Sequence, residues 1–178
     1  MRHLAGILLL LLACTLAAGQ PAASAEGTDG FRAMRLGMLL EEAKRALQQD
    51  PYFDYRGDPD VSFLPLSQQT LIECAGASYI SRAYFQFHEQ RLATITLVLD
   101  ASRLDHYSLF TRLTDKYGPH SELNPQRILW RFASVDFALE RPLTVKYIDR
   151  KVFDQQQSRG VAREALDDIS RRRFLEQF

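Results

Sequence analysis

Few side chains here could do chemistry: the cysteines Cys14 and Cys74, and the histidines His3, His88, His106 and His120. A metal site needs converging ligands, and the chain has no H-x-H, H-x-x-x-H or C-x-x-C spacing to bring two together. Cys74 lies in Thr70-Leu71-Ile72-Glu73-Cys74-Ala75. As a nucleophile it needs a base or a helix N-terminus beside it, whereas inside an apolar strand it reads as a small filler. Gly76-Ala77-Ser78-Tyr79-Ile80 opens like a hydrolase elbow, but Ile80 stands where the closing glycine belongs. His88 at a turn, His106 in a first helical turn and His120 after Pro119 read as surface or capping histidines. Catalytic, metal and cofactor roles are therefore assigned to no residue. Arg56-Gly57-Asp58 offers a guanidinium and a carboxylate on a turn-rich loop, as an adhesion ligand does, although Gly-Asp-Pro is also ordinary turn chemistry.

These residues must be positioned by elements that the hydrophobic spacing predicts. From Phe31, Leu36, Leu39, Leu40, Ala43 and Leu47 recur at helical spacing until Asp50-Pro51 stops them. Residues 52–60 read as a loop, and short strands follow over 61–66 and 70–75. Over 80–88, Ala83, Phe85 and Phe87 alternate with Arg82, Tyr84 and Gln86. Over 92–100, Ala93, Ile95, Leu97 and Leu99 alternate with Thr94 and Thr96. Alternation by twos with aromatic and β-branched residues predicts antiparallel strands with one covered face.

Asp105 caps a second helix that buries Leu109, Phe110, Leu113 and Tyr117 and ends at Gly118-Pro119. Three more strands alternate through Ile128, Trp130 and Phe132, then Val135, Phe137 and Leu139, then Leu143, Val145 and Tyr147. Residues 150–178 form a charged helix whose Arg163–Asp167, Asp167–Arg171 and Asp168–Arg172 pairs sit four apart. Its apolar stripe is thin: Ala162, Ala165, Leu166 and Ile169. It packs loosely, extends from the domain or meets a partner.

The expected fold is α+β: about seven antiparallel strands in the order α-β4-α-β3-α, covered on one face by two helices, with a charged C-terminal helix. A single domain spans 26–149 and divides into helix-sheet units at 31–100 and 104–149. Tyr84 and Tyr147, if exposed, would mark the uncovered face as a partner-binding surface.

The first 25 residues read as a leader: Arg2, an apolar run from Leu4 to Leu12, then small residues to Ala25. Two processing points compete. Ala23-Ser24-Ala25 leaves Glu26 as the first mature residue, whereas Leu11-Leu12-Ala13-Cys14 resembles a lipobox that would acylate Cys14. The chain is expected to be exported to the periplasm or cell envelope, touching a membrane only through a lipid on Cys14.

Removing the leader from 178 residues leaves 153, with 21 basic against 22 acidic side chains. That length builds one real core, and the charge balance leaves no basic excess for nucleic acid. Cys74 is then the one mature cysteine, so packing and not an internal disulfide must hold the fold.

Leu36-Gly37-Met38 with Glu41-Glu42, the Phe87-His88-Glu89-Gln90-Arg91-Leu92 hairpin, and Lys116-Tyr117-Gly118-Pro119 ahead of Trp130 resemble BamE/SmpA-like and β-lactamase-inhibitor-protein-like secreted modules. The resemblance spans 31–148. It implies a helix-then-sheet unit, duplicated, in an envelope protein that binds other proteins. Leu39 replaces the family's small hydroxyl residue, and Asp50-Pro51 replaces its glycine. The leading expectation is an exported, non-enzymatic protein-binding module. The alternative is a binder of a small apolar or lipid ligand between sheet and helix; an enzyme or adhesin comes third.

Overall fold

The computed structural model describes residues 28–64, 69–175 and 177. The leader, with Cys14 and both processing points, lies outside them. The fold is mixed α+β with an antiparallel sheet. The first difference from the sequence pattern comes at once. Where spacing predicts helix from Phe31, the chain makes a short hairpin, β1 (Gly30–Phe31) and β2 (Met34–Arg35), and helix α1 begins only at Leu40, running to Gln49. Gly37, at φ 81°, turns the chain out of any helix. Its N–H donates to the Leu92 carbonyl at 2.7 Å, Leu92 N–H to the Met38 carbonyl at 2.9 Å, and Leu40 N–H to the Gln90 carbonyl at 3.0 Å. Backbone 37–40 is thus spent on a hairpin end, which local spacing could not reveal.

Asp50 closes α1. Its buried carboxylate accepts Arg32 Nε at 2.8 Å and the Tyr52 N–H at 3.0 Å, while the Arg32 guanidinium lies over the Tyr52 ring. The predicted loop 52–60 holds β3 (Phe53–Asp54) and a 3-10 turn over Asp58–Asp60. Then come β4 (Val61–Leu64), β5 (Gln69–Gly76), β6 (Ile80–His88) and β7 (Arg91–Leu99). Helix α2 (His106–Tyr117) leads to β8 (Glu122–Leu123), β9 (Arg127–Arg131), β10 (Val135–Glu140) and β11 (Thr144–Asp149), and helix α3 spans Arg150–Leu175. The main sheet has nine strands, not about seven, because β3 and β8 are two-residue edges too short to show a period.

The strand order is β3-β5-β6-β7-β11-β10-β9-β8, with β4 beside β5. Two meanders, each preceded by a helix, therefore meet through their last strands. Direct cross-strand pairing runs Val61–Ile72–Phe85–Ile95–Tyr147–Phe137–Trp130 across seven strands. Directly paired residues share a face, so this row is the spine of the core. Leu40, Ala43 and Leu47 of α1 and Leu113 of α2 belong to the same buried cluster. Each Leu, Ile or Phe so placed contributes about 1.5–3 kcal/mol of burial.

The opposite face carries the row Glu73–Tyr84–Thr96–Lys146–Ala138–Leu129. It is polar toward β5 and β6, whereas Ala138 and Leu129 at its far end are buried.

Candidate functional site

Three places on this scaffold could act on another molecule: the uncovered face with α3, the loop at 56–60, and the sheet rim beneath the start of α2. On the uncovered face the charges pair across strands. Arg82 meets Glu73, Lys146 Nζ lies 2.6 Å from Glu140, and Arg150 Nη2 lies 3.0 Å from Asp136. Tyr84 is on this face, half-buried. Tyr147 is not. It lies in the core row between Ile95 and Phe137, 5% exposed, with burial pushing its phenol well above the ordinary value. Its parity with Leu143 and Val145 decides this, and it leaves the candidate partner surface.

Helix α3 starts on that same face. Asp149 Oδ1 accepts the Val152 N–H at 3.1 Å, and Val152, Phe153 and Gln156 stand over Gln86, Ala93 and Thr94. Beyond Gln156 the described side chains are exposed, apart from half-buried Asp168, which pairs with Arg171 at 3.2 Å. The Arg163–Asp167 and Asp167–Arg171 pairs lie outside the described side chains. The helix thus does two of the expected things, seating its root and extending its length.

Under that root sequence reasoning missed a residue. His88, expected at the surface, is 8% exposed, and neither ring nitrogen has a hydrogen-bond partner among the described residues. Glu89 Oε1 is 3.6 Å from Nε2, too far for a hydrogen bond. A bulge explains the burial. Gln86 faces Thr94 but Phe87 faces Leu92, so Ala93 is left unpaired and the hairpin end bends beneath α3. A cavity of about 30 Å³ adjoins the imidazole there.

The tripeptide loop is occupied with its own closure. Arg56 Nε donates to Asp60 Oδ1 at 3.0 Å, and its backbone N–H donates to Oδ2 at 2.9 Å. Burial alone would raise the Asp60 carboxyl, but the Arg56 guanidinium and backbone N–H together hold it below its usual value. Gly57 takes φ 90°, where a side chain would be strained, and Asp58 extends into solvent 3.9 Å from Lys44. Arg56, Gly57 and Asp58 are the parts of a built turn, with the exposed Arg56 bound to Asp60 and Asp58 almost wholly in solvent.

Cys74 is a buried free thiol on β5. Burial, then the charges of Asp60, Asp54 and Glu73, push it up to about 12, so it is protonated at neutral pH and no nucleophile. His120 packs against Phe110 and Trp130 at ring separations of 6.1 and 6.5 Å. Among the described residues no group of three or more His, Cys, Asp or Glu is placed to hold a metal ion, and no helix is long and apolar enough to cross a membrane.

The third place is the rim of the covered face. Asp105 caps α2 by accepting the Ser108 N–H at 2.8 Å, and among the described residues no backbone bond ties the helix start to the sheet. Its far end is pinned, Trp130 Nε1 donating to the Gly118 carbonyl at 2.9 Å. Between the start of α2 and the β8–β9 turn lies a cavity of about 380 Å³ whose lining includes His106, Leu123, Pro125, Arg127, Ile128 and Arg141.

Fold and surfaces together define an α+β domain with one main sheet, two helix-led meanders and a projecting helix. The family model of the TP0088 domain matches residues 29–159, and the chain belongs to that family. No curated protein and no solved structure matches it.

Proposed function

We propose that this chain is an exported, non-enzymatic module of the bacterial envelope that binds another protein through α3. One observation carries the reading. The outer length of α3 has left the sheet, yet Val161, Leu166, Ile169 and Leu175 along it are all large, apolar and at least half exposed. A helix of 26 residues reaches about 39 Å. Apolar side chains along such an arm gain about 25 cal/mol per Å² once a partner covers them. The family match ends at residue 159, inside α3, so the outer part of the helix lies beyond the matched residues.

The architecture suits this role. Helices α1 and α2 both contribute to the buried cluster on one face of the sheet, and the root of α3 stands over the other. Two helix-led meanders in one sheet are what a duplicated module of the BamE/SmpA-like kind would have. Export rests on the leader. Mass spectrometry of the mature N-terminus separates its two outcomes, since Glu26 means a soluble protein and an acylated Cys14 a lipid-anchored one.

A photo-crosslinking residue at Ile169, in cells that naturally make the protein, tests the arm. The expected product is an adduct with one identified envelope protein, lost when the crosslinker is moved to buried Ala83. Adducts from Tyr84 but none from Ile169 would move the interface to the sheet, and none from either would remove the reading. A second reading, small-ligand binding, is favoured by the cavity beside α2.

A further inference from the structure

Resting on that second reading, we propose that the cavity at the start of α2 binds a small apolar monocarboxylate, its tail on Leu123, Pro125 and Ile128 and its carboxylate on the Arg141 guanidinium. The cavity, about 380 Å³, is of ligand size and is lined mostly by carbon. Leu123, 62% exposed, forms one wall, and buried Ile128, its direct cross-strand partner, forms the floor.

The charge is what selects the head group. Arg127 shares the Glu122 carboxylate with Arg131, at 3.4 and 2.5 Å. Arg141 has no acidic partner among the described residues. Its Nε donates to the Pro125 carbonyl at 3.0 Å, which orients the fork, and among the described residues the two terminal nitrogens have no partner. A planar guanidinium held this way suits a carboxylate, which it can bind with two parallel hydrogen bonds.

The walls are built before any ligand arrives. Asn124 Oδ1 accepts the Gln126 and Arg127 N–H groups at 3.0 and 2.8 Å, and Arg141 N–H donates to the Gln126 carbonyl at 2.9 Å, so both turns are tied to each other. Burial, followed by the nearby Arg141 charge, lowers the His106 imidazole below its ordinary value, which leaves it neutral at pH 7. A guanidinium with no carboxylate partner among the described residues, beside an apolar floor, calls for a negative charge on an apolar tail.

The probes are octanoate and octanol, titrated into the full-length mature protein while backbone amide shifts of Leu123, Gln126 and Ile128 are followed. Octanoate should shift all three saturably and bind about tenfold more tightly than octanol, one charge-assisted contact's worth. Arg141→Gln should abolish that preference while leaving octanol binding unchanged. Leu123→Asp, at an exposed position, should reject octanoate with the fold intact. Equal binding of acid and alcohol would overturn the head-group assignment and leave the ligand reading standing. No shift with either probe would overturn both.

Discussion

The two helices on the covered face are seated differently. Helix α1 is stitched to the sheet by backbone hydrogen bonds from residues 37–40 to the β6–β7 turn, and it sinks Leu40, Ala43 and Leu47. Helix α2 is capped by its own Asp105, buries only Leu113, and touches the sheet mainly through rings, Phe110 to Trp130 at 6.3 Å and Tyr117 to Phe137 at 5.0 Å. The same pattern of helix then meander therefore gives one closed half and one half with a gap. The gap sits where the pinning is missing, at the start of α2. Shared topology does not enforce shared tightness; the contacts at the helix ends do.

The largest expected effect asks whether the halves are independent at all. Phe85→Ala and Phe137→Ala, one in each half and both fully buried, should each cost about 3–5 kcal/mol. Because the row is continuous, Trp130 fluorescence and far-UV circular dichroism should report one coincident urea transition in both variants. Separate transitions would divide the core in two.

Next, the lids. Leu47→Ala at 1% exposure should cost about 3 kcal/mol, and Leu113→Ala at 9% nearer 2 kcal/mol by the same measurement. Equal costs would erase the contrast. Smaller still, Trp130→Phe keeps a ring in place but removes the bond to Gly118, and should lower stability by about 1 kcal/mol.

The smallest effect concerns the loop at 56–60. The Asp60 carboxyl lies below 3.8 in the folded chain, so its contribution is complete above the unfolded value and is lost as pH falls through the folded one. Asp60→Asn should flatten the stability curve below about pH 4 by less than about 1 kcal/mol, since the exposed Arg56 partner is screened. An unchanged acid limb would show that the loop closes without this pair.

Much of this was legible in advance, for physical reasons that differ by element. The long strands were readable because alternation by twos reports a covered face directly, and Asp105 announced α2 because capping chemistry is local. The start of α1 was not, since Leu36, Leu39 and Leu40 fall at helical spacing while Gly37 and its neighbours pair with a hairpin some fifty residues away. Tyr147 has the parity of a core residue, and packing keeps it there. His88, next to a turn, reads as a surface residue; the bulge at Ala93 and the root of α3 bury it. The cavity beside α2 leaves no mark on the sequence, because it is formed by two turns and a helix end that are distant along the chain.

Native-state amide hydrogen exchange tests the unequal seating most directly. With the second helix pinned at one end only, the amides of residues 109–112 in α2 should exchange about 10–100 times faster than those of residues 44–47 in α1, each corrected for its intrinsic rate. Equal protection in the two helices would contradict the contrast between the halves and remove the physical basis for an open cavity at the start of α2.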